Sequence, residues 1–393
     1  MSHRFRALLP LFSSLVLAGC GDTEEPGSPG ARGNLLDAVP IAALDLDQTS
    51  AYLQDFELDI SKVQNGLDAH RLVYETIDAN GELTTASALL AVPRRDDASS
   101  AAVWMHGTTV FRGEAASVND ESDDRAAAFY LASAGYISIA PDYLGLGVGP
   151  GPHPYDDADT EVSASVDALL AAKQFLEQRH RGLGARLFIT GHSQGGRASL
   201  ELGHVVEQGA LPGLALAGLA PISGPYDMSY TLSLATSEGI AFTTGYVSYL
   251  VVAWNRLHHL YGSASEAFLP PYDATIESLF DNSHPPEQVL GALPETLEEL
   301  FTPAFLAELR HPTGALKAAL GRADEACSFG AGVPVTLFAA SGDEDVPIAN
   351  AEHCLTELEQ HDTVARLVDL GAVDHSQSAT LALPLVVEDF AAR

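Results

Sequence analysis

The sequence predicts an α/β protein with a mostly parallel sheet of eight strands, helices on both faces, and a helical insertion between strands six and seven. Three observations support this prediction. From residue 70 onward, short apolar runs alternate with segments that carry apolar residues at helical spacing. The first two runs, 70–77 and 85–92, flank turn residues and predict a hairpin at an antiparallel edge. Residues 225–325 contain no convincing strand.

The remaining elements follow in order along the chain. We expect six further strands, at residues 101–105, 136–140, 186–190, 214–222, 333–340 and 364–370. We expect helices between and after the last two strands and, earlier in the chain, at residues 123–134, 160–181 and 194–208. Helical patterns broken by prolines fill residues 225–325, where a structureless loop would be unusual. We therefore predict that this segment is a helical cap over the site.

The N-terminus has the pattern of an export signal. Two arginines precede a short apolar run, which is followed by small residues and Cys20. The tetrad 17–20, Leu-Ala-Gly-Cys, resembles a bacterial lipobox, in which the cysteine is acylated. We expect a signal peptide at 1–19, lipid on Cys20 and a flexible linker at 20–45, followed by a core of residues 46–224 and 326–393. The protein would then be exported, either as a lipid-anchored cell-envelope protein or as a secreted one.

The charge of the chain restricts its partners. With 20 basic and 53 acidic residues, the formal net charge is −33. Such a surface repels nucleic acid and anionic lipid headgroups, so we expect no nucleic-acid partner and no membrane contact beyond an anchor at Cys20. Export also favours a disulfide between the other two cysteines, Cys327 and Cys354; two free buried thiols are the alternative. The sequence leaves the oligomeric state open.

A nucleophile motif stands at residues 191–195, Gly-His-Ser-Gln-Gly, which matches G-x-S-x-G. The pentapeptide alone is a weak signal. Here it follows a predicted strand and opens a predicted helix, which is the strand-turn-helix context that the motif requires. The tight turn would expose the hydroxyl of Ser193 above the sheet. We therefore predict that Ser193 is a catalytic nucleophile, which needs a positioned base.

Several segments together resemble the α/β-hydrolase superfamily, in particular bacterial secreted esterases and lipases of the secretory-lipase type. The resemblance covers roughly residues 65–393, and its segments are 106–109 (His-Gly-Thr-Thr), 141–147 (Pro-Asp-Tyr-Leu-Gly-Leu-Gly), 153–155 (His-Pro-Tyr) and 191–196. It implies hydrolysis of a small-molecule ester or lipid, with no metal and no organic cofactor. A peptidase or an aryl-ester (feruloyl-like) hydrolase of the same fold is the alternative.

The resemblance also implies the other members of the site. The acid should follow the seventh strand, where alignment on Val346 and Pro347 gives Asp343 and alignment on Gly342 gives Asp345. We favour Asp343 and keep Asp345 as the alternative. The base should follow the last strand, at His375.

Two backbone N–H groups should bind the oxyanion of the tetrahedral intermediate. One is that of Gln194, which follows the nucleophile in the chain. The other is that of Thr108, in the loop after the third strand, with Thr109 as second choice. We interpret His106, in the same loop, as structural rather than catalytic.

Overall fold

Nine strands form one sheet in the computed structural model, which describes residues 30–95 and 100–393. The strands are β1 (Leu35–Leu44), β2 (Leu67–Ile77), β3 (Leu83–Pro93), β4 (Ser100–Met105), β5 (Ile137–Pro141), β6 (Arg186–His192), β7 (Ala215–Ile222), β8 (Val335–Ala339) and β9 (Ala365–Asp369). Their order across the sheet is β1-β2-β3-β5-β4-β6-β7-β8-β9. The contacts among β1, β2, β3 and β5 are antiparallel, and all others are parallel. The mostly parallel α/β fold is confirmed.

The helices of the described residues fall into two layers and one insertion. In chain order they are α1 (Leu46–Asp55), α2 (Asp123–Ser133), α3 (Ala158–Glu177), α4 (Gln194–Glu207), α5 (Met228–Ser237), α6 (Thr243–His258), α7 (Ala264–Ala267), α8 (Ile276–Leu279), α9 (Pro286–Gly291), α10 (Leu297–Leu300), α11 (Pro303–Arg310), α12 (Gly314–Ala323), α13 (Ala349–Gln360) and α14 (His375–Ala391). Helices α3, α4 and α13 pack in the apolar core of one sheet face, and α1, α2 and α14 in that of the other.

The central strands show why both faces are covered. Along β4, Val103 and Met105 point into one apolar core, whereas Ala102 and Trp104 point into the other. Successive side chains of a strand alternate between faces, so an apolar run without alternation requires burial on both sides. The short apolar runs of the sequence are therefore the interior strands of the sheet.

The first strand corrects two expectations. The sequence analysis placed residues 35–44 in the linker and counted eight strands, but β1 pairs antiparallel with β2 as a ninth strand at the edge. The residues just before β1 also form contacts with the rest of the domain. The N–H of Gly33 donates to the carbonyl of Glu75 over 2.8 Å, and Arg32 forms an ion pair of 3.1 Å with Asp167. Strand β1 lies at the sheet edge, is only partly buried and contains Pro40, a residue that weakens a strand pattern.

The cap, residues 225–325, lies between β7 and β8 and contains helices α5 to α12. It has an apolar core of its own, which includes Tyr249 and Trp254. The helical pattern that the sequence has over 238–260 corresponds to α6, which begins only at Thr243. Phe242, just before α6, is 62% exposed and does not join the buried face.

Two further observations concern the cysteines and the helices of the described residues. Cys327 and Cys354 are joined by a disulfide, with Cα atoms 5.3 Å apart, which ties the end of the cap to α13. Of the helices that the structure describes, none is long and apolar enough to cross a bilayer. The expected signal peptide, Cys20 and the linker up to residue 29 lie outside the described residues.

Candidate active site

Ser193 occupies a sharp turn between β6 and α4. Its backbone has φ 58° and ψ −123°, a left-handed conformation that costs a non-glycine residue about 1–3 kcal/mol. The neighbouring glycines allow the turn to sit close to adjacent strands. A Cβ on Gly191 would lie 2.5 Å from the carbonyl oxygen of Met105, and one on Gly196 would lie 2.6 Å from that of Ile222. The sequence therefore needs glycine on both sides of the serine.

The structure joins His375 to Asp343. His375 begins α14, and its Nδ1 lies 2.7 Å from Oδ2 of Asp343, whose side chain is fully buried. The other carboxylate oxygen, Oδ1, accepts the backbone N–H groups of Asp345 at 2.9 Å and Val346 at 2.8 Å. These bonds fix the carboxylate, which in turn directs Nε2 of the imidazole away from it.

His192 connects His375 to the nucleophile turn. Its Nε2 lies 3.0 Å from the backbone carbonyl of His375, and the two rings are 4.4 Å apart. Burial, with a smaller effect of His375, keeps the pKa of His192 well below its usual value, so its ring is neutral and donates this bond. Within the described residues, the Ser193 hydroxyl has no direct hydrogen bond to His375, and His192 bridges the turn and the imidazole.

The alternative acid, Asp345, has a different partner. Its Oδ1 accepts a hydrogen bond of 3.0 Å from the hydroxyl of Tyr246 in α6. The two acids of this loop are thus directed apart, one towards the imidazole and one towards the cap. The geometry assigns the imidazole partner to Asp343.

The proposed oxyanion donors lie beside Ser193. Gln194 is the first residue of α4, where a backbone N–H has no partner within the helix. Thr108 borders the same pocket as Ser193 and Gln194. The loop passes close to the nucleophile, since a Cβ on Gly107 would lie 3.5 Å from Cβ of Ser193. Both residues therefore lie close to the nucleophile turn.

His106 has a structural position. Its Nδ1 lies 2.7 Å from the carbonyl of Gly107, and its Nε2 lies 3.2 Å from the carbonyl of Asp142. The ring is buried against that of Tyr143, with centroids 3.9 Å apart. These contacts hold the loop that carries Thr108.

A buried polar network supports Gln194, and the sequence analysis missed it. The side-chain amide of Gln194 donates to Oε1 of Glu161 over 2.6 Å and to Nε2 of His153 over 3.1 Å. Burial lowers the pKa of His153 to about 3, so its ring is neutral. Its Nδ1 donates to the carbonyl of Leu144 at 2.9 Å, which leaves Nε2 as an acceptor.

Arg197 extends this network below the nucleophile helix. Its guanidinium lies 3.3 Å from both Asp156 and Glu161 and 3.7 Å from Glu201. Burial raises the pKa of Glu161 to about 8, although the positive charge of Arg197 opposes the rise. The i,i+4 spacing of Arg197 and Glu201 was the one signal in the sequence, whereas the contacts to Asp156 and Glu161 depend on tertiary structure.

A pocket opens at Ser193, and the cap supplies its apolar wall. The wall consists of six side chains, Met228, Leu232, Ala235, Ile240, Val247 and Leu250. The polar groups at the pocket include Thr108, Tyr155, Asp156, Tyr246 and Asp345.

The cap is docked directly on the loop that carries Thr108. The ring of Tyr249 stacks on that of Tyr155 at 4.3 Å, and its hydroxyl donates to the carbonyl of Thr109 over 3.2 Å. Tyr155 in turn shares a hydrogen bond of 2.9 Å with the hydroxyl of Thr108. The cap therefore bounds the pocket and contacts the predicted oxyanion loop at the same time.

Solved structures similar to this chain are hydrolases. A candidate hydrolase of Legionella pneumophila has 26% identity and a TM-score of 0.83, over 91% of this chain and 97% of the other. The rice cell wall degrading esterase LipA of Xanthomonas oryzae has 26% identity and a TM-score of 0.81, over 92% and 97% of the two chains. Candida antarctica lipase A, at 14% identity and a TM-score of 0.69 over 92% and 83%, shares the fold alone.

No family model and no curated protein sequence matches the chain. The structural similarity nevertheless covers nearly the whole length of both chains in the first two comparisons. The chain has the α/β-hydrolase fold, and its structure is similar to those of bacterial hydrolases that include an esterase.

Proposed function

We propose that the chain is a serine esterase that hydrolyses carboxylic esters through an acyl-enzyme formed on Ser193. The observation that carries the proposal is the 2.7 Å contact between His375 Nδ1 and the buried carboxylate of Asp343, next to a strained serine turn. A serine hydroxyl is a weak nucleophile unless a base takes its proton. Here an oriented imidazole lies near the turn of Ser193, a residue with a strained backbone at the N-terminus of α4.

The reaction follows from the roles of these groups. Nε2 of His375 accepts the proton of the Ser193 hydroxyl while Oγ attacks the ester carbonyl, and the N–H groups of Gln194 and Thr108 bind the oxyanion. The imidazolium then gives its proton to the departing alcohol as the C–O bond breaks. Water, activated by the same imidazole, attacks the acyl-enzyme and releases the carboxylic acid and free Ser193. Asp343 orients the imidazole and stabilises the imidazolium that forms.

Two observations favour an ester over other acyl substrates. The pocket at Ser193 has an apolar wall from the cap, which suits the hydrocarbon part of a small ester. The similar structure from Xanthomonas oryzae is that of an esterase. The acyl group would pack against the cap, away from water, during acyl transfer.

A panel of substrates tests this function. Wild-type protein and Ser193→Ala should be assayed on p-nitrophenyl esters, feruloyl esters and peptide anilides. We expect turnover of the nitrophenyl esters by the wild type and a loss on the order of 10⁴-fold or more in the variant, whose melting temperature should stay close to that of the wild type. If only the anilides were turned over, the protein would be a peptidase. If feruloyl esters were preferred, it would be an aryl-ester hydrolase.

We also propose that the enzyme is exported and lipid-anchored at Cys20. The support is the sequence pattern of residues 1–20, with its basic start, short apolar run and lipobox-like tetrad. The wild type should partition into detergent, whereas Cys20→Ser should be released or remain as an uncleaved precursor. An unmodified mature N-terminus at or beyond Cys20 in the wild type, seen by mass spectrometry, would refute the anchor.

A further inference from the structure

A second carboxylate of the acid loop faces the pocket rather than the imidazole. Asp345 stands two residues after Asp343 and borders the same pocket as Ser193. Its side chain is half-buried, and Oδ1 accepts a hydrogen bond of 3.0 Å from the hydroxyl of Tyr246. The proposed mechanism uses Asp343 and leaves Asp345 without a role.

No ion pair with a described residue neutralises the charge of Asp345, although a positive charge on His375 opposes the rise that burial causes in its pKa. Within residues 30–95 and 100–393, no arginine, lysine or histidine side chain forms an ion pair with it. The pocket's other carboxylate, Asp156, is different, because the guanidinium of Arg197 lies 3.3 Å from it. The described residues that border the pocket include no arginine, lysine or histidine. A ligand in this pocket therefore meets a net negative charge.

The wall of the pocket that the cap supplies is apolar. The six side chains of the cap wall accept a hydrocarbon chain, and nothing on this wall compensates a charge on that chain. An anionic group on the ligand would lose its hydration and face Asp345 in a partly buried site, where like charges repel more strongly than in water. A neutral group pays neither cost, and a cationic group offsets its loss of hydration by attraction to Asp345.

We propose that Asp345 is a specificity-determining residue, which makes the pocket reject esters whose acyl group carries an anion and restricts the enzyme to neutral or cationic acyl groups. The inference rests on the proposed esterase function and adds a substrate class to it. Discrimination by an unfavourable contact is a common way to exclude a competing substrate.

Three acyl groups of equal length test the proposal. The p-nitrophenyl esters of hexanoate, of adipate as its monoester and of ω-aminohexanoate differ only at the chain end, which is neutral, anionic or cationic. Because burial raises the pKa of Asp345, kcat/KM should be measured at about pH 8, well above the usual carboxyl range. Salt of about 0.5 M should be present, so that the net charge of the whole surface is screened.

We expect the wild type to prefer hexanoate over the adipate monoester by about tenfold or more, with the aminohexanoate ester accepted at least as well as hexanoate. Asp345→Asn should bring the hexanoate-to-adipate ratio close to one. Asparagine keeps the shape and an oxygen for Tyr246. The control is Tyr246→Phe, which removes the hydrogen bond, keeps the charge and should retain the discrimination. The ratio within one variant cancels any general effect on catalysis.

Two results would overturn the proposal. Equal turnover of hexanoate and the adipate monoester by the wild type would show that the pocket does not reject anions. An unchanged hexanoate-to-adipate ratio in a folded Asp345→Asn variant would mean that charges other than Asp345 cause the rejection of the anionic acyl group. Failure of the wild type to hydrolyse any of the three esters would instead refute the proposed function, which is a distinguishable outcome.

Discussion

The side-chain amide of Gln194 donates a hydrogen bond of 2.6 Å to Oε1 of Glu161. Gln194 directly follows the nucleophile, and its backbone N–H is a proposed oxyanion donor. The bond fixes this residue to a buried carboxyl group on α3. The same carboxyl group lies 3.3 Å from Arg197, which is on the nucleophile helix α4. Glu161 is therefore a positioning residue, which acts on the site through Gln194.

Truncation of Glu161 should weaken catalysis more than binding. Glu161→Ala leaves the amide of Gln194 with one partner fewer and frees the turn that presents the oxyanion donor. Complete loss of one such donor lowers kcat by about 10²–10³. For the misplaced donor in Glu161→Ala we expect kcat to fall by roughly tenfold or more, with KM little changed. Glu161→Gln, whose carbonyl oxygen can still accept from Gln194, should restore most of kcat. Equal losses in both variants, or a change confined to KM, would exclude the positioning role.

Glu161 should also make stability depend on pH. Burial raises its folded-state pKa from 4.5 to about 8. Between these values the folded protein keeps a proton that the unfolded chain has released, so stability contributed by this group falls as pH rises through the window and is lost above about pH 8. The free energy of unfolding of the wild type, minus that of Glu161→Gln, should therefore decrease from pH 5 to pH 9. A difference that is flat or rises with pH would contradict this account.

The two acids of the loop after β8 should differ strongly in their effect on turnover. Asp343→Asn replaces the carboxylate that orients His375 and favours the wrong tautomer of the imidazole, which costs about 10⁴ in kcat in comparable sites. Asp345→Asn should lose far less on the hexanoate ester, because its partner is Tyr246. Steady-state kinetics on that ester decides the matter. The reverse order would transfer the acid role to Asp345.

The strain at Ser193 should be measurable as stability. Ser193→Gly and Ser193→Ala both remove the nucleophile, but only glycine accepts φ 58° and ψ −123° without strain. After allowance for the greater freedom of glycine in the unfolded chain, we expect the glycine variant to be more stable than the alanine variant by about 1 kcal/mol. Denaturant unfolding of the two inactive proteins measures the difference. An alanine variant of equal or greater stability would mean that the turn stores no strain.

The sequence predicted the parts of the site that depend on local pattern. Ser193 is recognisable because the strand, the glycines and the helix that form its turn are contiguous in the chain. His375 follows from the order of elements, since it comes after the last strand, at the start of the last helix. The choice between Asp343 and Asp345 stayed open because both lie on one turn. Only the folded loop shows that the amides of residues 345 and 346 close over Oδ1 of Asp343.

The parts that the sequence did not predict depend on long-range contacts. Strand β1 is half-exposed at the sheet edge and contains Pro40, which weakens a strand pattern. The network of Arg197 joins charged residues that are up to 41 positions apart, and no local spacing indicates their contact. Tyr246 lies on a helix of the cap, and only the structure shows that it borders the pocket and donates a hydrogen bond to Asp345.

Covalent labelling of the nucleophile tests the central claim most directly. A fluorophosphonate should react with the native enzyme at one site, and the ester-hydrolysing activity should fall in proportion to the label incorporated. Peptide mapping by mass spectrometry is expected to find the phosphonyl group on Ser193, and Ser193→Ala should take up none. Loss of activity with the label on another residue, or full activity with Ser193 completely labelled, would contradict the assignment of Ser193 as the nucleophile.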